Sequence, residues 1–134
     1  MFDQARCCTR EISEAEAWLR SAEELFKDAK RGPARCTVVI AQCIHAIIRV
    51  NDGLTSRLLH KRAHRHEDAP ILFAEMIHTH KLDSSHARFR KLLLKAVVQK
   101  SGFDYLGEGA SEAEARKWIE SAKEFLDFAV NALG

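Results

Sequence analysis

The chain of 134 residues has the length of one ordinary domain, and its composition, 46% hydrophobic and 30% charged, is that of a globular protein rather than a disordered one. Its four cysteines contain no CxxC pair and include the adjacent Cys7 and Cys8, so they suit neither a zinc site nor a disulfide scaffold. The formal net charge is +2, but residues 57–100 hold ten Lys and Arg against four Asp and Glu. This distribution predicts either an anionic partner for the middle of the chain or charge pairing between copies of the chain.

The spacing of apolar residues near the N-terminus predicts the first two helices. The first helix opens with a capping box, Ser13-Glu14-Ala15-Glu16, in which the serine side chain accepts from the backbone amide of the glutamate three residues later. It ends at Gly32. Pro33 is tolerated in a first helical turn, so the second helix is predicted from Ala34 to about Asp52.

The second helix is apolar except for one narrow stripe, and it must therefore be covered on most of its sides. The stripe residues step by three and four, which places them on one helix face: Gln42, His45, Arg49 and Asp52. Cys36 and Cys43 lie two turns apart on the same helix, a spacing that favours small buried side chains over a redox pair.

Three further helices are predicted, each with its own cap. The third is capped by Asp68 and runs to about His80, the fourth is capped by Ser85 and runs from His86 to about Lys100, and the last starts at the Ser111 cap and ends near Leu133. The last opens with a second capping box, Ser111-Glu112-Ala113-Glu114. The pattern predicts an all-α protein, an up-and-down bundle of about five helices forming one domain over residues 1–134.

The longest uninterrupted apolar run, Val38 to Ala41, is far too short to cross a bilayer. The N-terminus lacks the apolar stretch of a signal peptide. The sequence therefore predicts a cytoplasmic protein without a membrane partner.

The most concentrated candidate site is the segment Arg57–His66, called the basic loop below. It holds four permanent cations and three imidazoles: Arg57, Lys61, Arg62 and Arg65, with His60, His64 and His66. Metal-free RNA cleavage needs a base for the ribose 2′-hydroxyl, an acid for the leaving oxygen and a cation for the phosphorane. Histidine and arginine supply these groups near neutral pH. The alternative is a solvated loop whose charges aid solubility.

Six of the seven histidines lie between His60 and His86. The chain nevertheless contains no HExxH or paired CxxC signature, so no metal site is predicted, and solvated or capping histidines are the alternative. A glycine-rich phosphate loop is also lacking. We therefore expect no cofactor.

A second basic feature is a row on the fourth helix, Arg88, Lys91 and Lys95. With Arg62 and Arg65 it could contact an RNA backbone, although a solvated helix face has the same pattern. The two tryptophans, Trp18 and Trp118, are interpreted as core residues.

The sequence resembles the HEPN domain family in Arg57-Leu58-Leu59-His60-Lys61-Arg62-Ala63-His64, which has the R-x6-H form. The similarity continues in an acidic first helix, an Ala- and Ile-rich second helix, the turn His66-Glu67-Asp68-Ala69 and a closing helix that contains Trp118-Ile119-Glu120-Ser121. The resemblance implies a homodimeric helical bundle. Where the motif is intact, it implies a metal-independent endoribonuclease of toxin or defence systems, with a nucleotidyltransferase-type protein as one possible partner.

In such a dimer Arg57 and His64 of two protomers would face each other, with His60 or His66 as alternative proton carriers. Dimerisation is predicted along the second and third helices, and charge introduced at a central position such as Val39 or Ile47 is expected to disturb assembly or folding. The second hypothesis is a non-catalytic homodimeric interaction module that uses the same apolar faces.

Overall fold

The computed structural model describes residues 10–28, 32–101 and 110–134. In these ranges the chain forms five α-helices, which are α1 (Arg10–Lys27), α2 (Pro33–Leu58), α3 (Ala69–His78), α4 (Arg88–Ser101) and α5 (Glu112–Leu133). Two 3₁₀ turns, His66–Asp68 and Ser84–His86, precede α3 and α4. The described part contains no strand, which confirms the predicted all-α class and the five helices.

Helix α2 is the centre of the bundle, because it packs against each of the other four helices. Burial of its apolar side chains is the main source of stability in such an arrangement. Val39 and Ile47 are fully buried inside the single chain. Charge introduced at either position would therefore disturb folding, since the chain's own helices already cover both side chains.

Helix α1 begins at Arg10, three residues before the predicted capping box. Ser13 is consequently an exposed residue inside the helix, and the prediction that it caps the helix is wrong. The physical reason is tertiary: Glu11 and Ile12 are buried and extend the helix toward the N-terminus. The helix also ends earlier than predicted, at Lys27 rather than Gly32.

Helix α2 continues six residues beyond its predicted end at Asp52. Burial of Leu54 and Thr55 carries the helix to Leu58, because leaving it earlier would expose apolar surface. Arg57 therefore lies in the last helical turn, whereas His60 and the later residues of the basic loop are outside it.

The predicted caps differ in outcome. The Ser111 capping box is confirmed: its hydroxyl accepts from the Glu114 amide at 3.1 Å, and the Glu114 carboxylate accepts from the Ser111 amide at 3.0 Å. Asp68 makes no side-chain cap bond at α3. Asp83 caps the 3₁₀ turn Ser84–His86 that precedes α4, because its carboxylate accepts from the Ser85 amide at 3.0 Å. Ser85 therefore lies inside that turn rather than at the start of α4.

Cys36 and Cys43 are buried, as predicted, and burial raises the pKa of Cys43 to about 12. Cys7 and Cys8 lie outside the described residues. Helix α2 is long and apolar enough to cross a membrane, with half of its most apolar stretch buried in the bundle. A core helix of a soluble protein has these same properties, so this is weak evidence for a membrane span.

Candidate functional site

The basic loop starts where α2 ends, and its backbone turns sharply at His60. This residue adopts the left-handed conformation, with φ of 56°. The turn lets the amide of Lys61 donate to the Thr55 carbonyl at 3.3 Å, back inside the helix. Left-handed backbone costs a non-glycine residue about 1 kcal/mol, so the imidazole of His60 is held at a strained position.

An open groove of about 500 Å³ lies between the basic loop and α3. It brings together part of the predicted site, and its lining is His60, Lys61, Arg62, Ala63, His64, Asp68, Ile71 and Leu72. The side chains of His60 and His64 are both exposed. Arg57 and His66 are exposed as well, but neither lines this groove.

Three cations of the basic loop, Lys61, Arg62 and Arg65, have acidic partners within the chain. Lys61 Nζ lies 2.9 Å from Glu75 of α3, and Arg65 lies 3.4 Å from Asp68. Arg62 pairs with Glu11 of α1, whose side chain is only 5% exposed. Exposed pairs of this kind contribute little, whereas a buried carboxylate depends on its compensating charge. Arg62 therefore has a structural role that Lys61 and Arg65 lack.

A second set of charges lies beside this pair, between α1 and α2. Arg49 donates from Nε to Glu14 at 2.9 Å and from Nη1 to Asp52 at 2.8 Å. Burial raises the pKa of the Asp52 carboxyl, and the hydrogen bond and charge of Arg49 only partly oppose this. Burial also lowers the pKa of Arg49, but its two carboxylate partners outweigh burial and raise it overall. Arg49 is thus paired both with α1, through Glu14, and within α2, through Asp52.

The same stripe includes His45, whose ring stacks on Trp18 with centroids 4.6 Å apart. Burial lowers the pKa of His45, and the positive charges of Lys100 and His66 lower it further. Trp18 is 38% exposed, so its interpretation as a core residue is wrong, while Trp118 is buried as predicted. His66 therefore acts on the charge state of His45 but does not line the groove that holds His60 and His64.

The basic row of α4 is exposed, but two of its members also contact α5. Arg88 pairs with Glu124 at 3.0 Å, and Lys95 Nζ lies 5.3 Å from the centre of the Trp118 ring. Lys91 is exposed beside them. None of the three lines the groove between the basic loop and α3. The structure therefore separates this row from the two histidines.

Glu11 is the residue that sequence reasoning missed. It pairs with Arg62 across 51 positions in the sequence, and only its place just before an apolar residue, Ile12, could have indicated burial.

Across residues 10–28, 32–101 and 110–134, no three His, Cys, Asp or Glu side chains are grouped so that they could hold a metal ion. The groove is thus best described as an imidazole and cation site.

Comparison with known proteins adds no family assignment: no protein-family model matches this chain, and no curated protein matches it.

Proposed function

We propose that this chain is a HEPN-like cytoplasmic protein that binds RNA at the basic loop and cleaves it without a metal ion. The observation that carries the proposal is the convergence of His60 and His64 with Lys61 and Arg62 in one open groove. Two imidazoles supply an acid and a base, and the cations attract the phosphodiester. The R-x6-H resemblance supports the same assignment.

The chemistry requires one neutral and one protonated imidazole. The neutral ring accepts the proton of a ribose 2′-hydroxyl, whose oxygen attacks the phosphorus. The bond from phosphorus to the 5′-oxygen breaks, and the protonated ring donates to that oxygen. The products are a 2′,3′-cyclic phosphate and a 5′-hydroxyl. The guanidinium of Arg57 stabilises the charge that develops on the phosphorane.

The strained backbone of His60 provides a sharp test. In His60→Gly the imidazole is lost while the left-handed turn becomes unstrained, so we expect stability to rise by about 0.5–1 kcal/mol and cleavage to be lost. His80 is the matched control, because it is also exposed and left-handed, with φ of 61°, but lies outside the groove. His80→Gly should show the same stabilisation with cleavage unchanged.

His64→Ala should also abolish cleavage and keep the fold, as measured by circular dichroism and by analysis of the cleaved ends. RNA affinity should fall steeply as salt rises, because binding releases counterions. Cleavage that persists in both His60→Gly and His64→Ala would refute the assignment of the two imidazoles. RNA affinity that is independent of salt would refute the proposed interface.

Arg57 does not line the groove of its own chain, so in the proposal it stabilises the phosphate in the groove of a second copy. Mixing separately inactive Arg57→Ala and His64→Ala chains tests this directly. Random exchange makes half of the dimers mixed, each with one intact site, so about a quarter of the activity should return. No recovery after verified subunit exchange would contradict action across a dimer.

The alternative is a non-catalytic homodimeric interaction module, and one observation favours it. Ile71 on α3 and Val98 on α4 are 62% and 65% exposed, although both are large apolar residues. Such surface commonly marks an interface. In this case Val98→Glu should convert a dimer to a monomer in light scattering, and His64→Ala should have no effect. An unchanged mass for Val98→Glu would exclude Val98 from the interface.

A further inference from the structure

A cleft of about 310 Å³ lies between α3 and the start of α4. This volume is at the lower end of the range of small-molecule sites, which are about 300–1,000 Å³. Its lining comes from α3, from the residue just before α4 and from α4 itself: Phe73, Ala74, Ile77, His78, Ala87 and Arg90. None of these residues lines the groove of the basic loop.

The floor and walls of the cleft are apolar. Phe73 is fully buried, and its ring packs edge-on against that of Phe125, with centroids 6.1 Å apart. Ile77 is half-buried and packs against the same core. Ala74 and Ala87 carry only methyl groups, which leaves room between the two helices. The cleft therefore offers apolar surface on a floor that is anchored in the core.

Two polar side chains of the lining, Arg90 and His78, are exposed to solvent. Among residues 10–28, 32–101 and 110–134, neither side chain has a carboxylate partner, and no carboxylate belongs to the lining. The cleft thus combines an apolar interior with one permanent positive charge that the described residues do not balance.

The acidic residues nearest to these two in the sequence are engaged elsewhere. Glu75 of α3 pairs with Lys61 of the basic loop at 2.9 Å, away from the cleft. The carboxylate of Asp83 accepts from the Ser85 amide at 3.0 Å. The guanidinium of Arg90 is therefore available to an anion from solution.

We propose that this cleft binds a small apolar carboxylic acid as its anion, with the apolar body on Phe73 and Ile77 and the carboxylate on Arg90. A guanidinium presents paired N–H donors that match the two oxygens of a carboxylate. A cavity of about 150 Å³ holds benzene, so this cleft has room for a ring or short alkyl chain that carries the acid group. The proposal does not depend on RNA binding or cleavage at the basic loop.

The experiment titrates the full chain with 3-phenylpropionate and with octanoate in ligand-observed NMR. Two partial ligands separate the contributions, because 3-phenylpropanol lacks the charge and acetate lacks the apolar body. Both acids should bind, and at least one should bind more tightly than either partial ligand. The tighter of the two acids identifies an aryl or an alkyl body.

Arg90→Ala removes the guanidinium, so the affinity for the tighter acid should fall about 10-fold, with binding of 3-phenylpropanol unchanged. Lys91→Ala is the matched control, since this exposed cation is the next residue of α4 and does not line the cleft. It should leave the affinity for both acids unchanged.

Ala74→Leu fills the cleft, so it should abolish binding of the acids and of 3-phenylpropanol. Ala113→Leu is its control, because this exposed alanine of α5 lies outside the cleft. If Ala74→Leu does not fold, Ala87→Leu decides the question at an exposed position of the same lining.

Failure of both acids to bind would overturn the proposal, and so would binding that persists in the filled variant. Equal losses in Arg90→Ala and Lys91→Ala would also overturn it, because they would indicate general charge attraction rather than a site. These results are independent of the proposed ribonuclease, whose test is cleavage in His60→Gly and His64→Ala.

Discussion

Replacing Arg62 by alanine should destabilise the fold much more than replacing Arg65, although both arginines belong to the basic loop. Arg62 compensates Glu11, whose side chain is 5% exposed, whereas Arg65 is 72% exposed and pairs with the partly exposed Asp68. Removing one partner of a fully buried pair costs about 3–5 kcal/mol. Because the Arg62 side chain is itself 47% exposed, water screens part of this interaction, and we expect about 2 kcal/mol.

For a domain of this size a loss of that magnitude lowers the melting temperature by roughly 8 °C. Arg65→Ala should cost no more than about 0.5 kcal/mol, the usual contribution of an exposed pair. Urea unfolding followed by circular dichroism measures both. The double variant Glu11→Gln with Arg62→Ala should lose less stability than the two single losses added together, since the buried charge is gone. Equal stability of Arg62→Ala and Arg65→Ala would refute this reasoning.

Three further predictions concern the fold. Ser111→Ala should cost about 1 kcal/mol of unfolding free energy, because it removes a capping box. Ser13→Ala is the control: this residue lies inside α1, so the substitution should be neutral or slightly stabilising. Equal losses of stability in the two variants would contradict the cap assignment. Ile47→Ala should cost about 2–5 kcal/mol of unfolding free energy, measured in urea, because Ile47 is fully buried inside the chain. The mass in solution should not change, and a changed mass in a folded variant would contradict this placement of Ile47. The pKa of His45 is lowered below its ordinary value of 6.5 in the fold, so the stability it contributes is present above that pH and is lost as the pH falls through the lowered value. His45→Phe should therefore lose less stability than the native chain between pH 7.5 and pH 5, and parallel urea midpoints would contradict this.

The contrast between the two predicted capping boxes shows where sequence reasoning succeeded and where it failed. Both read Ser-Glu-Ala-Glu, and both satisfy the local rule for a helix start. The box at Ser111 is confirmed, whereas α1 begins three residues before Ser13. A cap signal states only that a helix can begin at a residue. Burial of Glu11 and Ile12 against the rest of the chain decides that α1 begins earlier.

The candidate site shows the same limit. Composition singled out the basic loop, but four cations and three imidazoles in ten residues do not specify which side chains converge. The left-handed turn at His60 and the position of α3 place His60 and His64 in one groove, while His66 lies near enough to His45 to lower its pKa. Arg62, expected to contact RNA, is also the partner of a buried carboxylate.

The sequence by itself determined the all-α class, the five helices, the buried thiols of α2 and the start of α5, because helical periodicity and capping depend on residues within a few positions of one another. The tertiary structure decided which cations are structural, which face of α2 is covered and which histidines share a groove. These depend on contacts between residues far apart in the chain, such as Glu11 and Arg62, and such pairings leave no local pattern in the sequence.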